Sequence, residues 1–349
     1  MEKKERDSGL ELLRIIGLFL IFWMHGASSY VNNSLSAWLC IVIETIGNVG
    51  VPVFILISGY FGIRFKPKKL LQLDLMLIFY CWTGLALRFA WGDAAEYGME
   101  QILSYVLPVI GRNSWYFTCY FALAILSPFL NEFVEKLEKE TFRRMLVLML
   151  VIFSGITTFL FFDITQDGGK GIVNMTLYLI GRYIRLYQDK KVYSRKKLIT
   201  AYVAIMAVCI ALNGALYVVS GTVQNRFSRD NTLFTIAASV CLFLLFKDLH
   251  FRSKVVNRLA THVPAVFTME WTLRGVVTAY MFDYLAWRES NWHELILFGV
   301  CFLLLAMGTV IDELRVLLLG RAEEKLADLE YRGLTTVCGT LKQCILRFF

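Results

Sequence analysis

The chain repeats one pattern almost from end to end: an apolar stretch near the ~20 residues that a bilayer demands, then a short polar loop carrying Lys or Arg. About ten such stretches occur, at 10–30, 37–62, 70–90, 115–134, 144–162, 172–188, 198–219, 231–248, 263–284 and 294–318. In lipid, every backbone amide must find its partner inside the protein, so stretches of this length are read as helices. With 57% hydrophobic and 15% aromatic residues, the composition lies outside that of a soluble domain. The expected fold is an all-α, polytopic membrane helix bundle of about ten transmembrane helices. Residues 1–320 form the membrane domain, and 321–349 form an amphipathic tail on the cytosolic face. The first stretch carries Arg14 and His25 and ends without a small-residue cleavage site, so it reads as a retained helix and not as a signal peptide.

The loop cations set the expected orientation. Taken alternately, the loops place clusters such as Arg64, Lys66, Lys68 and Lys69, or Arg195, Lys196 and Lys197, on one side. The other side receives only five: Arg112, Lys170, Arg226, Arg229 and Arg288. By the positive-inside rule the rich side is cytoplasmic, which puts both termini in the cytosol. The formal net charge of +8 is then largely a topology signal, and its division among short loops argues against a nucleic-acid partner. Of the eight cysteines, Cys40, Cys81, Cys119, Cys209, Cys241 and Cys301 lie inside apolar stretches as small core residues. No Cys/His cluster has metal-ligand spacing, so no metal is expected, and no GxxxxGK phosphate loop is present.

Ionisable groups within apolar stretches are costly and mark candidate sites. Arg14 and His25 share the first stretch, eleven residues and therefore roughly 16 Å apart along a helix axis. Glu270 and Arg274 are i, i+4 neighbours in MEWTLRG, spaced to form a buried ion pair. Arg182 with Arg185, and Asp312 with Arg315, occupy i, i+3 positions near the cytoplasmic ends, where snorkelling to the headgroups and a binding role are both open. Glu44 lies deeper. Trp115 and Tyr116 at an outer helix end suit either a sugar ring or an aromatic belt. Ser58 and Gly59 either expose backbone amides to an anion or permit close helix packing.

These blocks carry a family resemblance. The chain resembles the acyltransferase-3 family of integral membrane O-acyltransferases, above all the short bacterial members associated with acetylation of surface sugars. The Arg-to-His pattern of the first stretch, VPVFILISGYF (51–61), NSWYFTCYFALAILSPFLN (113–131), LYLIGRYIRLY and IDELR match family blocks in order, from about Ser8 to Gly320. Near the ninth stretch the family commonly reads close to FGVYLIHE, whereas this chain reads PAVFTMEW, with Glu270 where the family often has histidine.

The resemblance implies a multi-pass enzyme of the bacterial inner or plasma membrane. Such an enzyme moves an acetyl or similar group from cytosolic acyl-CoA to a hydroxyl of a polysaccharide or its lipid-linked precursor, among membrane lipids and without a metal. It assigns His25 and Arg14 to catalysis, His25 as base or acyl carrier, with Arg14 at the donor or paired with Asp312 or Asp74. Arg182, Arg185, Ser58 and Gly59 are donor-side candidates. Glu44, Trp115, Tyr116 and Glu270 are candidates for binding the acceptor or orienting His25. A lipid-linked sugar transporter and a non-catalytic member of a glycan-assembly complex are the alternatives, and a transporter would not consume acetyl-CoA.

Overall fold

The structure is a computed structural model that describes residues 7–27, 34–160 and 170–348, with side chains through residue 336. Lys3, Lys4 and Arg6, and the apolar tail positions Leu341, Ile345 and Phe348, therefore lie outside the described residues or side chains. The described chain is helical throughout: α1 Gly9–Ala27, α2 Ser34–Gly47, α3 Gly50–Phe61, α4 Pro67–Trp91, α5 Met99–Val106, α6 Trp115–Glu135, α7 Lys139–Leu150, α8 Ile156–Phe159, α9 Lys170–Tyr187, α10 Arg195–Ser220, α11 Leu233–Lys247, α12 Lys254–Val276 and α13 His293–Phe348. A π-turn at Val151–Gly155 joins α7 to α8, and no strand occurs among the described residues.

Seven helical segments are long and apolar enough to cross a membrane, with α2–α3 and α7–α8 each counting as one. The other three expected spans are helices too, but different ones. α11 is only 15 residues long, and α9 and α12 carry Asn174, Arg182, His262, Glu270 and Arg274, all buried. Their polarity is spent inside the bundle, which is why hydropathy alone undercounts them.

α1 sits at the centre, packed against α2, α3, α11, α12 and α13. Leu13, Leu18, Ile21 and Phe22 are all essentially inaccessible. Around it, one group of side chains gathers from α1, α4, α12 and α13 and another from α3, α6, α7, α9 and α11. Lipid supplies no hydrophobic drive between helices, so intimate packing must hold them, and small residues permit it. A Cβ on Gly59 of α3 would lie 2.1 Å from the Tyr178 carbonyl oxygen, and one on Gly181 of α9 would lie 2.5 Å from the Leu56 oxygen.

The single span expected over 37–62 is broken. Between α2 and α3 the sequence Gly-Asn-Val-Gly interrupts the helix, and the Asn48 amide donates back to the Glu44 carbonyl at 2.8 Å. At the break α1 comes so close that a Cβ on Gly47 would meet Met24 Cβ at 2.5 Å, and one on Gly50 would meet the Gly17 oxygen at 2.7 Å.

The helix of the last span continues past residue 320, so that α13 runs for 56 residues. At ~1.5 Å per residue this far exceeds a ~30 Å hydrocarbon core, so α13 extends well beyond the bilayer. Its extension meets the start of α4, where Lys68 pairs with Glu324 at 3.3 Å and Asp328 at 2.8 Å.

Candidate active site

His25 lies in the last turn of α1, and its Nδ1 is 2.7 Å from Glu270 Oε2 on α12. The other carboxylate oxygen, Glu270 Oε1, accepts from Arg274 Nε at 3.0 Å and from Nη2 at 2.9 Å. Arg274 also donates to the Phe22 carbonyl, one turn before His25 on α1. The i, i+4 pair read from the sequence is therefore real, and the same carboxylate orients the histidine. Glu270 is 2% exposed at its side chain, His25 31%.

The carboxylate bridges the histidine and the arginine. Glu270 thus faces Nδ1 with one oxygen and Arg274 with the other, which sets the plane of the imidazole. Trp271 completes the arrangement. Its indole stacks on the imidazole with centroids 5.6 Å apart and planes inclined by 21°, and the Arg274 guanidinium lies 5.7 Å from the same ring.

Four adjoining cavities run from the Arg14 end of α1 to the His25 end. The first, of about 270 Å³, is lined by Arg14, Arg64, Lys66 and Lys69 with no acidic side chain. Through Arg14, Ser58, Leu73 and Tyr120 it adjoins a largely apolar cavity of about 360 Å³. That one shares Phe267 with two further cavities, both bordered by His25 and Trp115. The larger, about 530 Å³, is polar. The smaller, about 210 Å³, also touches Glu270 and Trp271.

Arg14 pairs with Glu11 one turn earlier, Nη1 to Oε2 at 3.0 Å. The expected partner Asp312 is occupied elsewhere, by Tyr80 at 2.8 Å and Arg315 at 2.8 Å. A neighbour on its own helix satisfies Arg14 at less cost than a distant carboxylate. Ser58 lines the first two cavities, with its hydroxyl donating to the Phe54 carbonyl at 2.9 Å, whereas Gly59 serves the α3–α9 contact.

Arg182 and Arg185 border none of these four cavities. Arg182 binds Glu135 at 2.9 Å, and Arg185 binds Asp189 at 3.0 Å and the Tyr60 hydroxyl at 3.3 Å. Glu44 is buried on α2 and borders none of these four cavities. Trp115 faces the two His25 cavities, and Tyr116 faces the apolar one. No group of His, Cys, Asp and Glu suited to a metal ion occurs among the described residues.

Sequence reasoning missed Trp271, although it adjoins Glu270 and precedes Arg274 by three residues, and it missed a second histidine centre. There His262 reaches Asp312 from Nδ1 at 2.6 Å and Glu313 from Nε2 at 2.8 Å.

A histidine–carboxylate–arginine chain lies beside cavities that adjoin one another along the central helix of a polytopic helix bundle. The family model for the acyltransferase domain of the acyltransferase-3 type matches residues 7–311, and the chain belongs to that family. It is thus an integral membrane acyltransferase by family. No curated protein and no solved structure matches the chain.

Proposed function

We propose that this acyltransferase moves an acetyl or similar short acyl group from cytosolic acyl-CoA to a hydroxyl of a surface polysaccharide or its lipid-linked precursor, with both termini in the cytosol of a bacterial cell. The observation that carries the reading is the series of cavities along α1, basic at the Arg14 end and bordered by the His25–Glu270 relay at the other. A first cavity lined by Arg14, Arg64, Lys66 and Lys69 suits the phosphates of a CoA thioester, since Arg and Lys bind phosphate through charge-assisted hydrogen bonds. The apolar cavity beyond it suits the pantetheine arm and acyl chain.

In this reading His25 Nε2 takes the proton of the acceptor hydroxyl while that oxygen attacks the thioester carbonyl. The C–S bond then breaks and the imidazolium returns its proton to the departing CoA sulfur, giving an ester and free CoA thiol. Glu270 steadies the imidazolium as it forms, and Arg274 holds Glu270 in place through two hydrogen bonds. An acyl-imidazole route would use the same nitrogen as nucleophile.

The test is release of CoA thiol by purified protein in lipid nanodiscs, with acetyl-CoA and a panel of glycan acceptors. Acceptor-dependent release is expected. Transport of lipid-linked sugar without thioester consumption would replace the enzyme reading.

A further inference from the structure

The polar cavity beside His25 has a composition that acyl transfer to a neutral sugar does not require. Its lining includes Arg112, Lys170 and Arg229 with Asp230 as the one acidic side chain, so it is cationic among the described residues. Lys170 lies 3.9 Å from Asp230, Arg229 Nε donates to Asn225 Oδ1 at 3.3 Å, and Glu44 is buried on α2. We infer that this cavity is an anion subsite, in which Arg112, Lys170 and Arg229 hold a phosphate or carboxylate of the acceptor next to the hydroxyl presented to His25. The inference rests on the acyl-transfer reading and adds the chemical class of the acceptor.

Three observations point this way. The first is distributional: the poorly basic side of the protein has only five loop cations, Arg112, Lys170, Arg226, Arg229 and Arg288. Three of them line this one cavity. Insertion disfavours cations on that side, so their convergence from three separate loops calls for a local function.

The second is backbone conformation. Arg112 has φ +56°, the one non-glycine in the left-handed region among the described residues. An arginine held there at a steric cost, on the wall of a candidate site, is being aimed. The third is helix polarity. α6 begins at Trp115 on the cavity wall, and its N-cap Ser114 makes no side-chain hydrogen bond, so first-turn amides add positive potential there. Lys170 lies 4.0 Å from the Trp115 ring centroid, placing a cation and a flat aromatic face together, as suits a charged sugar.

The anion has two chemical sources: a uronate carboxylate on the sugar, or the diphosphate joining a sugar to its lipid carrier. Matched probe pairs separate them. Calorimetric binding to protein in zwitterionic nanodiscs, without acetyl-CoA, would compare methyl glucuronide with methyl glucoside and geranyl diphosphate with geraniol. At least one anionic probe should bind about tenfold or more tighter than its neutral twin, and that preference should shrink as NaCl is added. Arg112→Asn, which tolerates the left-handed backbone, and Arg229→Gln should each erase most of the preference at unchanged melting temperature, while Arg229→Lys retains it.

The responding pair identifies the source. Equal binding within both pairs, or a preference that survives both neutral variants or added salt, overturns the proposal. Because binding is read without the donor, this failure is distinct from failure of the acyl-transfer reading, which shows as no CoA release by wild-type protein with any acceptor.

Discussion

The protein holds two histidines against buried carboxylates, and they are built for opposite ends. His25 meets Glu270 from Nδ1 and borders two cavities. His262 has a carboxylate at each ring nitrogen, Asp312 at Nδ1 and Glu313 at Nε2, with its side chain only 6% exposed. Around it Tyr80 and Arg315 bind Asp312, Arg258 binds Glu313, and Arg315 reaches Glu323. With both nitrogens against carboxylates and the ring buried, His262 offers no face to a substrate. Burial between two carboxylates makes the His262 centre a clasp between α12 and α13, whereas the cavities beside His25 give it the access that the proposed base requires.

Turnover is where this contrast is sharpest. His25→Ala should lose on the order of 10²-fold or more in acyl transfer while the protein still inserts and melts cooperatively. Near-normal release of CoA thiol by that variant would reduce His25 to a structural residue and erase the distinction. The effect of Glu270→Gln is smaller: the amide keeps an oxygen for one neighbour but no longer supplies the charge. Transfer should fall about 10- to 100-fold, the range typical for removing an outer-shell partner of a histidine.

Rescue by a second substitution at Arg274 separates the two jobs of Glu270. Recovery of melting temperature without recovery of turnover is expected from a carboxylate that both pairs and orients. Recovery of both would leave Glu270 with the ion pair alone.

At the clasp the balance reverses. Asp312→Asn takes from Arg315 and His262 the carboxylate they share in a nearly inaccessible site and leaves them Glu323 and Glu313, so stability should drop by about 1–3 kcal/mol. Turnover per folded molecule should stay within about twofold, because no group in the clasp touches the cavities around His25. Thermal melting in detergent with active-site titration reads both quantities. A large loss of specific activity with little change in melting temperature would move His262 into the catalytic set.

Much of the first centre was legible in the sequence because charge in an apolar stretch has few explanations. Arg14 and His25 stood out for that reason, and the spacing of Glu270 and Arg274 announced their pair. The contact between His25 and Glu270 spans 245 residues and depends on how α12 packs on α1, which no local pattern encodes. The same holds for Arg112, Lys170 and Arg229, which read singly as loop cations. Arg14 looked outward for a partner and found Glu11 on its own helix. Polar residues buried inside the bundle masked α9 and α12 as apolar spans, and the break at Asn48 hid within a continuous hydropathy peak.

That break carries a consequence for how the enzyme tolerates change. His25 follows directly on Met24, the side chain that Gly47 admits, so the alignment of the imidazole depends on atoms that are missing from the helices opposite. Empty space there works like the bearing of a hinge pin: it performs no chemistry, yet its width decides where the pin stands. A methyl group added at Gly47 or Gly50 would push α1 away by a few tenths of an ångström or more, at a site where displacements of that size separate a productive alignment from an idle one. Two residues without side chains thus hold as strict a claim on this acyltransferase as the histidine they flank.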